Sequence, residues 1–334
     1  MLNNLTRKTT LEVVKQAKSV RINREKILEL AKKWAKENIK VPRRPVEDIL
    51  DTKNERKILD YLIILDTLNF CFWSQREKWN IKYKGKKYDG YFAMSLCLKK
   101  FFEEKPEQAE FKNLAKIFYK DFCDIFKGKP ACHGLRHQVL PGGGELQFLR
   151  KRWPGARSVS RALLKKYNGD SRKFIASAKH KFSILVPKIY KELPTFGDTA
   201  KYNGKKVYLL KRAQILAADI CFAFGNKGIG RFDDLNYLTS MPDYKLPQIL
   251  RHWGILAYSR ELENKIRNRI LIHASSKEEV EIRGATVWAV EYLKDELLKF
   301  GKKFHAYEID WILWIKSQEE NIKNPYHLTK TIFY

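Results

Sequence analysis

Residues 207–224 read VYLLKRAQILAADICFAF, and this stretch decides how the chain folds. Its apolar and small residues recur every three or four positions, which predicts an amphipathic helix. Lys211 lies beside the predicted buried face of this helix, next to Leu210, and Asp219 follows two helical turns later. An ionised group is costly to bury without a partner or a task, so this pair is either an ordinary boundary pair at the helix surface or part of a site. The residues predicted to face the core are Leu210, Ala213, Gln214, Ala217, Cys221 and Phe224.

Another charged group lies just downstream, in the stretch DYKLPQ at residues 243–248. Asp243 precedes a helical pattern and has the right chemistry to cap that helix by accepting a backbone N–H. Pro247 is compatible with a first helical turn, where its missing donor is not needed. A capping carboxylate beside a cleft keeps its charge, so a structural cap and a functional group are compatible interpretations of Asp243.

The remaining chain is dominated by helical periodicity as well. Residues 79–92 instead alternate and contain a Lys-Gly turn, which predicts a short β-hairpin. Because strands and helices do not alternate repeatedly, the pattern does not support a doubly wound sheet. We therefore expect a mainly α fold with one small β-hairpin element. Residues 56–73 form a strongly apolar block. The other predicted helices cover residues 25–38, 92–103, 111–126, 160–167, 171–192, 245–257, 258–270, 279–300 and 308–320.

The composition is that of a globular protein with a strong positive charge. The 334 residues are 44% hydrophobic and 13% aromatic, which separates the chain from disordered sequences. The formal net charge of +28 attracts anions in general, from RNA to small phosphates, without selecting among them. Five cysteines with no C-x-x-C pair indicate reduced thiols rather than a disulfide framework. Without a long apolar run or a signal-peptide pattern, a cytoplasmic protein is expected.

Residues 131–158 differ in composition from the rest of the chain. They favour arginine, glycine and proline, whereas the other segments prefer lysine and isoleucine. Glycine-rich segments of this length are usually functional or poorly ordered, so we expect an atypical Gly/Arg-rich loop and assign it no chemistry. Cys132, His133 and His137 have a spacing compatible with a metal ion, but the surrounding glycines argue against a rigid zinc site.

Aromatic and acidic residues combine at two other places. Asp310 and Trp314 are four residues apart and so share one face of a predicted helix. A carboxylate beside an indole ring suits a flat heterocycle, although the same pair is common in an ordinary packed helix. Asp66, Asn69 and Phe72 offer a similar mixture in the N-terminal half.

A set of short blocks occurs in the order expected of a known family. The blocks are DTLNFCFW at 66–73, residues 81–91, YLLKRAQIL at 208–216, residues 232–248, EVEIRG at 279–284, Asp310 with Trp314, and the final Phe333-Tyr334. Together they resemble the queuosine salvage family, the queuosine 5′-phosphate N-glycosylases. The resemblance implies a helical DNA-glycosylase-like domain over residues 55–334, preceded by an N-terminal helical extension at 1–54. It also implies hydrolysis of queuosine 5′-monophosphate to queuine and ribose 5-phosphate, with no metal or organic cofactor.

The resemblance also assigns roles to residues. The aspartate matching Asp243 and the lysine matching Lys211 are expected to matter most for activity in that family, so these are the predicted catalytic residues. Breaking the C1′–N bond builds positive charge on the ribose, which a carboxylate beside C1′ stabilises while it orients or deprotonates water. Lys211 is expected to hold the phosphate or the ribose. The predicted substrate-binding residues are Met241, Asp310, Trp314, Asp219, Phe72 and Tyr334, and no metal ligand is predicted.

Two other functions are compatible with the sequence. A DNA or RNA glycosylase would use the positive field to bind a polymer and flip a base, with steeply salt-dependent affinity. A non-catalytic RNA-binding protein would bind without releasing any base, and its acidic residues would be helix caps only. The partner expected from the resemblance is instead a small-molecule substrate, queuosine 5′-monophosphate. Nucleic-acid contact is then not required, and no membrane is involved.

Overall fold

The computed structural model describes residues 4–43, 50–74, 78–126, 139–141, 144 and 146–334. Helices dominate these ranges, which confirms the predicted mainly α fold. None of the helices in these ranges is long and apolar enough to cross a membrane. The helices are α1 (Leu5–Gln16), α2 (Arg24–Lys36), α3 (Glu55–Leu68), α4 (Gly90–Glu104), α5 (Phe111–Leu114), α6 (Tyr119–Phe126), α7 (Leu149–Tyr167), α8 (Ser171–Ala176), α9 (Phe182–Glu192), α10 (Lys211–Ala223), α11 (Lys245–His252), α12 (Arg260–Arg267), α13 (Lys277–Lys299) and α14 (Ala306–Glu319).

The strands are short and pair in small antiparallel sheets. They are β1 (Val20–Ile22), β2 (Asn80–Tyr83), β3 (Lys86–Asp89), β4 (Val139–Pro141), β5 (Thr199–Tyr202), β6 (Lys205–Tyr208) and β7 (Leu256–Tyr258). Strands β2 and β3 form the predicted hairpin, which turns at Lys84 and Gly85 with φ values of 48° and 75°. Strand β4 adds to this hairpin on the β2 side, and β1 pairs with β7.

A second hairpin, β5–β6, was not predicted. It turns at Asn203 and Gly204, both in the left-handed region at φ values of 46° and 79°, and Asn-Gly is a strong hairpin signal. Strand β6 takes Val207 and Tyr208 out of the helix expected at 207–224. Leu210 then adopts a left-handed φ of 50°, and α10 begins at Lys211. The hairpin therefore places Lys211 at the first position of the helix.

Two large hydrophobic clusters form most of the core. One is built around α3, α4, α7, α9 and α10, and the other around α2, α11, α13 and α14. Helix α1 packs against α13, where the Arg7 guanidinium and the Glu291 carboxylate are 2.7 Å apart. Gly284 permits this approach, because an added Cβ would lie 3.3 Å from the Val13 side chain. The division into an extension and a domain at residue 54 stays a prediction.

The prediction of a loop over 131–158 is wrong for residues 149–158, which belong to α7. The helix is held in the interior by Arg152. Its fully buried guanidinium donates to the carbonyl oxygens of Leu68, the last residue of α3, and of Phe70. Composition alone does not reveal that an arginine fills an interior position of a helix. Most of the remaining segment, including the zinc candidates Cys132, His133 and His137, lies outside the described residues.

A buried carboxyl on α3 gives the fold a pH-dependent weakness. Burial, partly offset by Ser171 and Arg56, raises the pKa of Asp60 to about 7. One of its carboxyl oxygens is buried without a hydrogen-bond partner. A pKa raised above the unfolded value means that the folded state holds a proton that the unfolded chain releases. Stability is therefore expected to fall as pH rises from about 4 to 7.

Asp60→Asn is expected to remove this loss, because an amide does not ionise. The variant should gain free energy of unfolding relative to wild type as pH rises, by up to about 1.4 kcal/mol per pH unit across that window. Urea unfolding at several pH values measures the difference. Asp51→Asn, which changes an exposed carboxylate, is the control and should follow wild type. Parallel pH curves for wild type and Asp60→Asn would contradict the assignment.

Candidate active site

A deep cavity lies where the two hydrophobic clusters meet. Its empty space is about 1080 Å³, including the part that is open to solvent. All eight residues predicted from the sequence as catalytic or substrate-binding line it, although their roles stay predictions. They are Phe72, Lys211, Asp219, Met241, Asp243, Asp310, Trp314 and Tyr334.

Helix α10 supplies one wall of the cavity. Lys211, Ile215, Ala218, Asp219 and Phe222 line it, and their spacing places them on one face of the helix. Lys211 is 5% exposed and Asp219 is 2% exposed, so a boundary pair at the protein surface is excluded. The sequence pattern was correct for the core face but did not show that the adjacent face is also buried, against a cavity.

Asp243 caps α11 and lines the cavity at the same time. Its Oδ1 accepts hydrogen bonds from the backbone N–H groups of Lys245 at 2.6 Å and Leu246 at 3.0 Å. These two donors and the positive end of the helix fix the carboxylate in place and stabilise its negative charge. Asp243 is therefore both a helix cap and a cavity residue, the two interpretations that the sequence left open. It is only 7% exposed.

The Lys211 ammonium is buried among charges of both signs. Burial lowers the pKa of Lys211, while the Asp243 carboxylate opposes this shift and Arg212 adds to it. The backbone N–H of Lys211 donates to Asp198 Oδ2 at 3.0 Å, which anchors the first turn of α10. The amine is therefore paired electrostatically with the capping aspartate while its backbone is held from behind the cavity.

Asp310 on α14 is the third charged group of the cavity. Burial raises the pKa of Asp310 to about 7, and repulsion from Asp243 contributes. Its Oδ1 accepts the backbone N–H of Met241 at 2.6 Å, two residues before Asp243. A carboxyl group with this pKa exchanges its proton near neutral pH, which is the property of a general acid or base. Met241, predicted as a substrate contact, also holds Asp310 through its backbone.

Aromatic side chains form another part of the cavity wall. The Trp311 and Trp314 rings stack at 5.4 Å with an interplanar angle of 8°. Trp314 also meets Tyr91 and Phe92 edge-on, with ring centroids 6.1 Å and 5.5 Å away. Such a wall is suited to a planar heterocycle. Trp311 and Tyr91 were missed from the sequence, although the cavity-facing stripe of α14 at 307, 310, 311, 314 and 318 has helical spacing.

Phe72 lies in the segment that follows α3. The Arg152 guanidinium carbon is 5.0 Å from the centre of the Phe72 ring. Gly90 begins α4 at a left-handed φ of 53°, and an added Cβ there would lie 3.4 Å from Phe72 Cβ. A residue other than glycine is strained at that φ, and the backbone of Gly90 lies in contact with Phe72. Arg152 and Gly90 therefore position Phe72 in the cavity wall.

Tyr334 closes the floor of the cavity and is 2% exposed. Its backbone oxygen accepts the N–H of Cys71 at 2.9 Å, and its ring lies 4.4 Å from the Arg283 guanidinium carbon. Burial raises the pKa of the Tyr334 phenol well above its usual range, with the Glu279 charge adding to the shift. The phenol therefore stays protonated and retains its hydrogen-bond donor.

The mouth of the cavity carries charged residues that sequence reasoning missed. The Lys78 ammonium and the Asp89 carboxylate are 2.9 Å apart, and both line the cavity with Lys245. Burial, with repulsion from Lys78, lowers the pKa of Lys245. In the sequence these lysines are indistinguishable from the many on solvated helix faces, so only the three-dimensional arrangement identifies them.

Comparison with known proteins gives a consistent result. The family model for queuosine salvage proteins matches residues 49–334. A Sphaerobacter thermophilus protein is 37% identical over 328 residues, covering 98% of this chain and 96% of that protein. A Dictyostelium discoideum protein is 35% identical, covering 82% and 77%, and a Mus musculus protein is 29% identical, covering 97% and 94%. Each of the three is named queuosine 5′-phosphate N-glycosylase/hydrolase.

Proposed function

The chain belongs to the queuosine salvage protein family, and on that basis we propose that it hydrolyses the N-glycosidic bond of queuosine 5′-monophosphate. The products are queuine, available for salvage into tRNA, and ribose 5-phosphate. The observation that carries the proposal is the buried carboxylate of Asp243, fixed by two backbone N–H groups in the wall of a cavity that Lys211 also lines. The names of relatives that align over nearly their whole length agree with it.

Asp243 stabilises the positive charge that develops on the ribose as the C1′–N bond breaks. A fixed carboxylate needs no reorganisation when that charge appears, which is the basis of electrostatic catalysis. The same group orients a water molecule and accepts its proton as the water oxygen bonds to C1′. Lys211 balances the charge of Asp243 and holds the phosphate or the ribose of the nucleotide.

Asp310 supplies a proton to the departing base. The base is a 7-deazaguanine without the N7 atom, so it leaves with negative charge that must be neutralised elsewhere. Asp310 is suited to this because its pKa, about 7, leaves much of it protonated at neutral pH. The aromatic wall of Trp311 and Trp314 beside it stacks the base. Asp310 gives one proton to the base, and Asp243 accepts one proton from the attacking water. The net reaction is therefore the addition of one water molecule across the C1′–N bond.

The rate at saturating substrate is expected to depend on pH through Asp310. A raised pKa means that the acid form predominates below about pH 7 and is lost as pH rises through that value. The wild-type kcat should therefore decline above about pH 7, and Asp310→Asn should be slower with a flattened alkaline limb. Steady-state rates from pH 5 to 9 measure this, and an unchanged alkaline limb in Asp310→Asn would exclude it as the acid.

The direct test is incubation of the purified protein with queuosine 5′-monophosphate, with free queuine quantified by mass spectrometry. Release of queuine and of ribose 5-phosphate in equal amounts is expected. A short RNA containing queuosine serves as the second substrate, because a polymer-acting glycosylase would prefer it. Absence of queuine from the mononucleotide would refute the proposal.

We also propose that the protein works in the cytoplasm. The four described cysteines, Cys71, Cys97, Cys123 and Cys221, are free and buried, as is usual in a reducing compartment. Burial raises the pKa of the Cys97 thiol to about 12, so it is inert rather than reactive.

A further inference from the structure

Arg283 on α13 is fully buried behind the cavity wall and makes an unusual set of contacts. Its two terminal nitrogens bind Asp198 in a bidentate pair, at 3.0 Å to Oδ1 and 2.6 Å to Oδ2. Its Nη1 also lies 3.3 Å from Glu279 Oε1, and its Nε donates to the carbonyl oxygen of Pro242 at 3.3 Å. One guanidinium thus joins four separate positions of the chain, counting the Tyr334 ring at 4.4 Å.

Each of these contacts leads directly to a wall of the cavity. Asp198 Oδ2 accepts the backbone N–H of Lys211, so Arg283 anchors the start of α10 through Asp198. Pro242 immediately precedes Asp243, so the bond from Nε fixes the backbone beside that carboxylate. The Arg283 guanidinium lies against the Tyr334 ring itself, and the charge of Glu279 helps to raise the pKa of the Tyr334 phenol. The lysine, the aspartate and the tyrosine of the cavity are therefore held by one side chain that does not line it.

We infer that Arg283 is a positioning residue that sets the Asp243–Lys211 geometry, with Asp198 as its intermediary. The expected loss of kcat rests on the proposed hydrolysis, whereas the expected displacement of the site residues does not. Only an arginine provides a fixed planar fork that bonds both Asp198 oxygens and a third acceptor at once. A lysine retains the charge and loses this geometry. Displacement of a reacting group by about 1 Å is enough to cost on the order of 10²-fold in rate.

Arg7 on α1 offers a matched control, because its ion-pair partner lies on the same helix as Arg283. It is also a buried arginine, its Nε lies 2.7 Å from the Glu291 carboxylate of α13, and it donates to the Leu238 carbonyl oxygen. Arg7 and Glu291 lie outside the lining of the cavity. Arginine-to-lysine changes at the two positions are therefore chemically identical and both disturb a buried ion pair, but only one of the pairs reaches Lys211 and Asp243.

The experiment compares Arg283→Lys, Arg7→Lys and Asp198→Asn with wild type. Both lysine variants are expected to melt at lower temperatures. At a temperature where all are folded, Arg283→Lys should lose on the order of 10²-fold in kcat with a much smaller change in KM. Arg7→Lys should keep the wild-type kcat. Asp198→Asn still accepts the Lys211 N–H but binds Arg283 weakly, so it should show a smaller loss in kcat and provides the test if Arg283→Lys does not fold.

Crystal structures of the variants give a readout that does not depend on turnover. Displacement of Pro242, Asp243 and the first turn of α10 in Arg283→Lys or Asp198→Asn, and not in Arg7→Lys, supports the inference. Unmoved residues, or full kcat in both site variants, overturns it. An inactive wild type would refute the proposed hydrolysis instead, and the structural comparison would still decide whether Arg283 positions the site.

Discussion

Asp243→Asn is expected to fold normally and to release queuine from queuosine 5′-monophosphate on the order of 10²-fold more slowly than wild type, or worse. The fold should survive because the asparagine oxygen accepts the same two backbone N–H groups, from Lys245 and Leu246, that Asp243 Oδ1 accepts. What the variant lacks is the negative charge beside the ribose. The loss should therefore appear in kcat, since the charge of the ribose develops only on the way to the transition state.

Two further variants separate the charge of Asp243 from its capping role. Asp243→Ala removes both, so it should be as slow as Asp243→Asn and also less stable by about 1 kcal/mol, the usual value of a lost cap. Asp170 caps α8 in the same manner, through the backbone N–H of Arg172, and lies outside the cavity lining. Asp170→Asn should therefore keep wild-type turnover. Near-normal turnover by Asp243→Asn would remove this carboxylate from the mechanism.

The helical pattern and the family blocks were sufficient to find eight of the residues that line the cavity, and the reason is visible in α10. Its core face follows simple periodicity, and Lys211 and Asp219 stand out because charges rarely occur beside such a face. Their shared burial was ambiguous in the sequence, because periodicity does not reveal what lies opposite a helix. In the structure, α10 packs beside the cavity-facing stripe of α14, where the Phe222 and Tyr307 rings are 5.5 Å apart. This packing explains why Lys211 and Asp219 are both buried.

The features that were missed depend on contacts distant in sequence. Arg152 seemed to belong to a loop because its neighbours are glycine-rich, yet its guanidinium binds carbonyl oxygens more than 80 positions earlier. Arg283 was noticed only as part of a family block, and its bond to Asp198 spans 85 positions. Lys78 and Asp89 reach the cavity through the hairpin that begins at β2. Local patterns carry no information about such pairings.

Lys211→Met is expected to lower the rate on the order of 10²-fold with queuosine 5′-monophosphate, and the size of the effect should depend on the substrate. Methionine keeps most of the volume of the buried side chain and removes its charge. If the ammonium binds the phosphate, kcat/KM should fall much more for the monophosphate than for free queuosine. Equal losses for the two substrates would assign Lys211 to the ribose or to the support of Asp243.

Lys245→Met is the comparison that makes this test decisive. Lys245 also lines the cavity but lies nearer its mouth, and it is half-buried where Lys211 is fully buried. Lys245, and not Lys211, would be the phosphate-binding lysine if Lys245→Met lost activity specifically with the monophosphate while Lys211→Met lost it equally with both substrates. The pH dependence gives a further check. Burial lowers the pKa of both lysines, so each loses its charge at a lower pH than an ordinary lysine. If Lys211 binds the phosphate, KM for the monophosphate should rise on the alkaline side in wild type and in Lys245→Met, and not in Lys211→Met.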